Sequence, residues 1–422
     1  MNKNVLLIDF GASRIKSAYL LHSQEALLKN HDSLGSASIG HKCSTKFFVA
    51  SMIEHLRIAE KIAPVEAIMI CAEMHGYATC DNSSGLPGEY VSWRYSSRAD
   101  TNNIAMLNNN GFFEMTGMKA KAGLPVVNIL SDSKIVSGNE RVADIAFIPD
   151  SICRLMGESY HKVHASLAHA SGLYTKDNEQ LRDFGLPKLN CPIASDEDDV
   201  CIGVIKFQNR TIPCYGGYGD LQVSVMGVQP EKDQWIINLG TGSQIISLAS
   251  VNNNKFEKRA YFNQKLIDCI THIPAGRALN IFANLFSEIR GETTSDHFWQ
   301  IMKNMKILGE IDDLPVFDLA IFPQAFEFFD GGLITNIKEQ HFDLNGFCVG
   351  LMNSFVEQYI RLLKSSDNDS RRPIILSGNM CQSIPIITEF FEKKWSSNIS
   401  QFQKDIDPSI LGLDYLAKLH LR

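Results

Sequence analysis

The chain begins with an apolar run, Val5-Leu6-Leu7-Ile8, that stops at Asp9; after the small residues Gly11-Ala12-Ser13 the pattern becomes an alternation, Ile15-Lys16-Ser17-Ala18-Tyr19-Leu20. Period-two alternation places one face of an extended segment against a core, so the pattern predicts two strands around a tight turn, with a carboxylate at the bend. The pattern returns once, in WIINLGTGSQIISLA from Trp235. Laid under LLIDFGASRIKSAYL without a gap, the second copy sets Asn238 under Asp9, Gly240 under Gly11, and Thr241-Gly242 under Ala12-Ser13. Either copy alone reads as an ordinary β-hairpin; a copy at the head of each half of the chain reads as an internal duplication. Farther on, Phe347 to Leu363 has the pattern of an amphipathic helix, and Pro373 to Ile387 that of a buried strand running into a turn and a helix.

A chain of 422 residues is too long for one typical core. Two domains are expected, residues 1–228 and 229–422. The net charge of −7 disfavours a nucleic-acid surface, which needs a basic face. Ten cysteines without a C-x-x-C pair give no support to a zinc ribbon or a redox dithiol and suit free thiols in a reducing compartment. The first strand starts by about Val5, leaving no room for a signal peptide, and no apolar run reaches the roughly 18 residues of a membrane span. A cytoplasmic protein that handles small molecules, with no membrane and no nucleic-acid partner, is the expectation; it leaves room for a homodimer.

Two similar halves facing each other make a cleft, where ligands preferentially sit. Tight glycine turns leave backbone N–H groups pointing outward, and such nests hold phosphate oxygens. Gly11 and Ser13 in the first turn, with Lys16 just after it, and Gly240, Thr241 and Gly242 in the second are therefore candidate phosphate-binding residues. Asp9 is the candidate metal residue, since a carboxylate beside phosphates organises Mg²⁺ through hard oxygen ligands. This doubled phosphate hairpin resembles the actin-like ATPase superfamily. The resemblance implies a two-domain, ribonuclease H-like α/β fold: duplicated mixed sheets flanked by helices, with ATP and Mg²⁺ in an interdomain cleft.

Between the hairpins lies AEMHGYATCDNSSGLPGEYVSWRYSSRAD, Ala72 to Asp100. An indole suits the C–H face of a polyol, while Glu, His and Arg bond its hydroxyls. The segment resembles the sugar-recognition block of the FGGY carbohydrate kinases: a Gln-Met-His-Gly turn, an Asp-x-x-Gly-x-Pro loop, then Trp-x-Asp-x-Arg. The resemblance implies that Glu73, Met74, His75, Trp93 and Arg98 bind substrate. YGGYGDLQVSVMG is similar to the family's Gly-Asp segment, whose Asp takes the proton from the attacking hydroxyl; that makes Asp220 the catalytic base and a substrate contact. PIILSGNMCQSIPII is similar to the adenosine block and implies Gly378 and Asn379 as nucleotide contacts. Pro149 to Lys176 looks like two further family segments, and its histidines, His161, His164 and His169, have no regular metal-ligand spacing.

Within the family, GDLQVSV and AYFNQ resemble sedoheptulokinases. The chain departs from the family pattern in having Glu73 for Gln, Tyr95 where Asp is expected, Asp100 as the nearest substitute, and Ser377-Gly378-Asn379 in place of consecutive glycines. The expected activity is transfer of the γ-phosphate of ATP to a primary hydroxyl of a ketose or related polyol, sedoheptulose first and xylulose or another pentulose second. The rivals are a chaperone- or actin-type ATPase, which has no use for a sugar block, and a pseudokinase that binds sugar or nucleotide for regulation.

Overall fold

The apolar run at the start of the chain forms strand β1 (Val5–Phe10). Leu6, Ile8 and Phe10 pack with Phe48, Met52 and Leu56 of helix α1 (Lys46–Glu60). Val5 and Leu7 pack with Ile410, Leu413 and Leu416 near the C-terminus. A strand covered on both faces reads as a continuous apolar run, which is the sequence observed. The computed structural model describes residues 3–12, 14–22, 31–32, 41–81, 83–95, 100–132, 144–157, 162–186, 189, 192–194, 200–307, 313–322, 325–328, 330–341, 343–366, 371–403 and 405–421.

Two compact units emerge. The first comprises Met1–Gln229 together with Lys258–Leu266 and Asp405–Arg422; the second comprises Pro230–Glu257 and Ile267–Lys404. In the first, β1 and β2 (Ile15–Leu20) join β3 (His31–Asp32), β4 (Ala67–Ala72), β5 (Cys201–Phe207) and β6 (Arg210–Gly219) in one sheet of order β5-β6-β4-β1-β2-β3. β1 and β2 are antiparallel, whereas β1, β4 and β6 run parallel.

Helix α2 (Asp220–Val228) follows β6 directly. In the second unit, β7 (Trp235–Leu239) and β8 (Ser243–Ser247) form the second hairpin. Their sheet has the order β9-β10-β8-β7-β11-β12, with β9 (Glu257–Ala260), which from Lys258 onward counts with the first unit, β10 (Leu266–Ile273), β11 (Ile374–Ser377) and β12 (Ile399–Gln401). β7, β11 and β12 are parallel, so each unit repeats the same core: one antiparallel hairpin and two further parallel strands. The gapless match of the two opening segments is thus a match of topology. Helix α3 (Gly276–Arg290) starts just after β10, and helix α4 (Leu344–Ser366) contains the segment whose pattern predicts an amphipathic helix. Its Val349, Met352, Phe355, Val356 and Leu363 enter the core of the second unit.

A single break near residue 228 does not describe the C-terminus. Helix α5 (Pro408–His420) belongs to the first unit because its apolar face, Ile410, Leu413, Leu416 and Ala417, is buried on β1 and β4. Two glycines let it cross α2 closely. A Cβ at Gly227 would meet the Pro408 carbonyl at 1.9 Å, and one at Gly412 the Val223 carbonyl at 2.0 Å. Among the described residues, no helix is long and apolar enough to cross a membrane.

Candidate active site

Because β1, β4 and β6 are parallel, their carboxyl ends lie on one edge of the sheet, where open α/β sheets bind ligands. The register pairs Asp9 with Cys71, Phe10 with Ala72, and Ala72 with Gly219. Glu73 and Asp220 are the next residues after the paired ends.

Asp9 lies within β1 rather than at the bend, on the face of Val5 and Leu7, and is 2% exposed. Its Oδ2 accepts from Ser409 Oγ at 2.6 Å and from Lys16 Nζ at 3.2 Å. Oδ1 is buried with no hydrogen-bond partner. Lys16 also reaches Asp407 at 3.0 Å. Burial works against its ammonium, but Asp9 and then Asp407 outweigh burial and hold its pKa well above the ordinary lysine value. Lys16 is therefore tied to two carboxylates. Cys71, opposite Asp9 on β4, stays a thiol: burial, then Asp9 and Asp220, push it well up.

Asp220 is the first residue of α2, and its Oδ1 accepts from Leu221 N at 2.8 Å. Withdrawal of its carboxyl from water, followed by the negative charges of Asp9 and Glu73, pushes its pKa up to about 8. The Leu221 N–H and Lys16 pull the other way without prevailing. The glycines ahead of it answer to local packing. Gly216 and Gly217, at φ of 93° and 66°, form a β-bulge where β6 shifts register on β4. Gly219 gives room to neighbours, since a Cβ there would come within 3.0 Å of the Met74 Cγ and Sδ atoms and 2.5 Å of Gln222 Oε1.

Glu73 is 2% exposed and its Oε1 accepts from Tyr90 OH at 2.9 Å. Burial pushes its pKa up to about 7, against Tyr90, Arg94, Ser92 and Trp93. Gly76 makes the Tyr90 bond feasible, since a Cβ there would fall 1.9 Å from the tyrosine oxygen. His75 has left-handed backbone, φ 64°, and its Nδ1 lies 2.5 Å from Ala170 O. Trp93 is half-buried, with the Arg94 guanidinium 5.6 Å from its ring centroid. Asp100, buried at the start of its helix, takes a bond from Ser131 Oγ at 2.9 Å. Arg98 and Ser13 lie outside the described residues. The expected sugar loop at Asp81 is a self-contained turn, with Asp81 Oδ1 accepting from Ser83 N and Ser84 N.

In the second unit, β7 and β11 pair Asn238 with Ser377, so the turn Gly240-Thr241-Gly242 and the pair Gly378-Asn379 follow from one edge. Gly276 N and Arg277 N, at the start of α3, bond the carbonyls of Gly240 and Thr241 at 3.1 and 2.8 Å. Thr241, Gly242 and Asn379 are exposed. None of Gly11, Gly240 and Gly242 has positive φ, so these turns do not need glycine for its left-handed conformation. Around Gly242 nothing lies within 4 Å of a Cβ. Gly378 differs: its φ is 93°, and a Cβ would meet the Leu239 carbonyl at 2.4 Å.

His164 and His169 are buried and bonded to Ser166 Oγ and Thr116 O, and His161 is outside the described residues. Among the described residues, no group of three or more His, Cys, Asp or Glu has a metal-holding arrangement. A single carboxylate suits Mg²⁺, which commonly takes one or two carboxylates together with phosphates and water. Asp407, Ser409 and Tyr90 were not foreseen. Asp407-Pro408-Ser409 has the pattern of a helix start, but its approach to Asp9 spans 400 positions of sequence.

No family model matches the sequence, and no curated protein matches it. The structure does find relatives. A xylulose kinase from Lactobacillus acidophilus superposes with a TM-score of 0.76 over 100% of this chain and 90% of its own, at 14% identity. A glycerol kinase from Plasmodium falciparum with ADP gives 0.76 over 99% and 89%, at 15% identity, and a gluconate kinase from Lactobacillus acidophilus gives 0.75 over 100% and 90%, at 14%. The chain has the fold of the sugar kinases. At these identities the likeness establishes fold, and function has to be argued from the residues.

Proposed function

We propose that the chain is an ATP-dependent carbohydrate kinase that transfers the γ-phosphate to a primary hydroxyl of a ketose or related polyol. The observation that carries this reading is the shared edge of β1, β4 and β6, which gathers Asp9, Glu73 and Asp220, with Asp220 pushed up to about 8. A carboxyl of that pKa is a better proton acceptor near neutrality than an ordinary one. Phosphoryl transfer through a loose transition state asks chiefly for orientation and late acceptance of the proton.

Asp220 orients and deprotonates the hydroxyl. Glu73, Met74, His75, Trp93 and Arg98 hold the sugar. Gly11, Ser13, Gly240, Thr241 and Gly242 cradle phosphates, and Gly378 and Asn379 meet the adenosine. The partnerless, buried Oδ1 of Asp9 is a hard oxygen donor that fits Mg²⁺. Bound there with ATP, Mg²⁺ supplies neutralisation of phosphate charge. Among the structural relatives are proteins described as xylulose, gluconate and glycerol kinases, which supports the class and leaves the sugar open. The resemblance of GDLQVSV and AYFNQ to sedoheptulokinases supports sedoheptulose first, with xylulose or another pentulose second and a sugar alcohol third. The test is a set of rates with sedoheptulose, xylulose, ribulose, fructose and glycerol. A higher kcat/KM for glycerol or a pentulose than for sedoheptulose overturns the seven-carbon assignment.

A further inference from the structure

The start of α5 contacts Asp9 through Ser409, and its role depends on the kinase reading above. We propose that Asp407 and Ser409 are positioning residues for Asp9: together with Lys16 they fix its Oδ2, so that Oδ1 is the oxygen presented to a divalent cation.

The argument starts from the faces of β1. Asp9 falls on the side of Val5 and Leu7, the side covered by α5, and Lys16 is its register partner on β2. The polar start of α5 meets that pair. Ser409 Oγ lies 2.6 Å from Asp9 Oδ2 and 2.7 Å from Asp407 Oδ1, and Lys16 Nζ lies 3.2 Å from Asp9 and 3.0 Å from Asp407. Two carboxylates, one ammonium and one hydroxyl thus make a closed ring of contacts. An ammonium carries three donors, so Lys16 serves both acids at once. Asp407 is also the N-cap of α5, accepting from Ser409 N at 3.0 Å. At Gly227 and Gly412, α5 packs closely against α2, the helix that begins with Asp220. The Ser409 and Lys16 contacts both fall on Oδ2, and the buried Oδ1 has no hydrogen-bond partner. An acceptor held on one oxygen and open on the other is how ligating carboxylates are commonly oriented, and loss of such an orienting partner typically weakens metal affinity by about 10–100-fold. Lys16, foreseen as a phosphate contact, thereby belongs to the holding of Asp9.

The test uses Mn²⁺ as the probe, measured by loss of its free-ion magnetic resonance signal in the presence of ADP, without turnover. Asp407→Asn keeps a good N-cap and removes only the charge facing Lys16, so it preserves the helix start. Ser409→Thr and Ser409→Val match in shape and differ by one hydroxyl. Each variant is first compared with wild type by circular dichroism and thermal melting. Expected are roughly 10-fold or greater losses of Mn²⁺ affinity in Asp407→Asn and Ser409→Val, near wild-type affinity in Ser409→Thr, and an unchanged KM for sugar. Wild-type Mn²⁺ affinity in folded Asp407→Asn and Ser409→Val overturns the positioning role and leaves the kinase reading standing. Failure of wild-type protein to bind Mn²⁺ with ADP overturns the metal role of Asp9 and this proposal with it.

Discussion

Glu73 and Asp220 each stand one residue beyond Ala72 and Gly219, which pair at the ends of the parallel strands β4 and β6. The juxtaposition has an electrostatic consequence: Glu73 is one of the two negative charges that raise Asp220, after burial and Asp9. Glu73 itself is pushed up to about 7 by burial. Two acids at one strand edge, both moved toward neutrality, make the site sensitive to pH over a narrow range.

The rate should rise with pH, since the base works deprotonated. On a substrate the enzyme accepts, kcat/KM is expected to climb through about pH 7–8, the range of the two carboxylates. Glu73→Gln removes one negative neighbour, so the limb controlled by Asp220 moves to lower pH. A profile flat between pH 6 and 9, or a limb displaced upward in Glu73→Gln, contradicts this.

Stability runs against activity. Asp220 has a folded pKa of about 8 against an ordinary 3.8, so the folded state holds its proton more tightly than the unfolded state does. Its contribution is present below about pH 4 and is lost as pH rises through 8. Asp220→Asn should therefore melt higher than wild type at pH 8.5, by about 2–4 °C for each kcal/mol gained in a unit of this size, and the two should converge in acid. A lower melting point for the variant at pH 8.5 would rule this out.

Glycines at the nucleotide edge separate into two kinds. Gly378→Ala forces a left-handed backbone and a 2.4 Å contact with the Leu239 carbonyl, so it should cost about 1–3 kcal/mol of stability in the second unit. Gly242→Val has open space around its Cβ and should leave the melting point within about 1 °C. It should still weaken ATP binding in calorimetry by crowding the phosphate turn. If Gly242→Val binds ATP as wild type does, the turn is only structural.

Much of this was legible in the chain because the two hairpins repeat an apolar strand, a small turn and an alternating strand, a pattern set by burial on known faces. The approach of residues 400 positions apart was not. Ser409 meets Asp9 because α5 is drawn over β1 by Ile410, Leu413 and Leu416, an effect of packing that no local pattern announces. The roles of the glycines before Asp220 were hidden for a related reason. Gly216 and Gly217 answer to a bulge against β4, and Gly219 to the Met74 and Gln222 side chains, partners visible only in three dimensions. The pKa of Asp220 likewise depends on Asp9 and Glu73, which sequence separates from it by more than a hundred residues.

The central claim is tested most directly by sugar-dependent formation of ADP from ATP, with wild type and Asp220→Asn assayed side by side over the same sugars and calorimetry run in parallel. The account predicts turnover by wild type with at least one ketose or polyol, a loss of about 10²–10⁴-fold in Asp220→Asn, and ATP affinity retained by the variant. No sugar-dependent ADP from wild type, or more than a tenth of its turnover kept by Asp220→Asn, would contradict it.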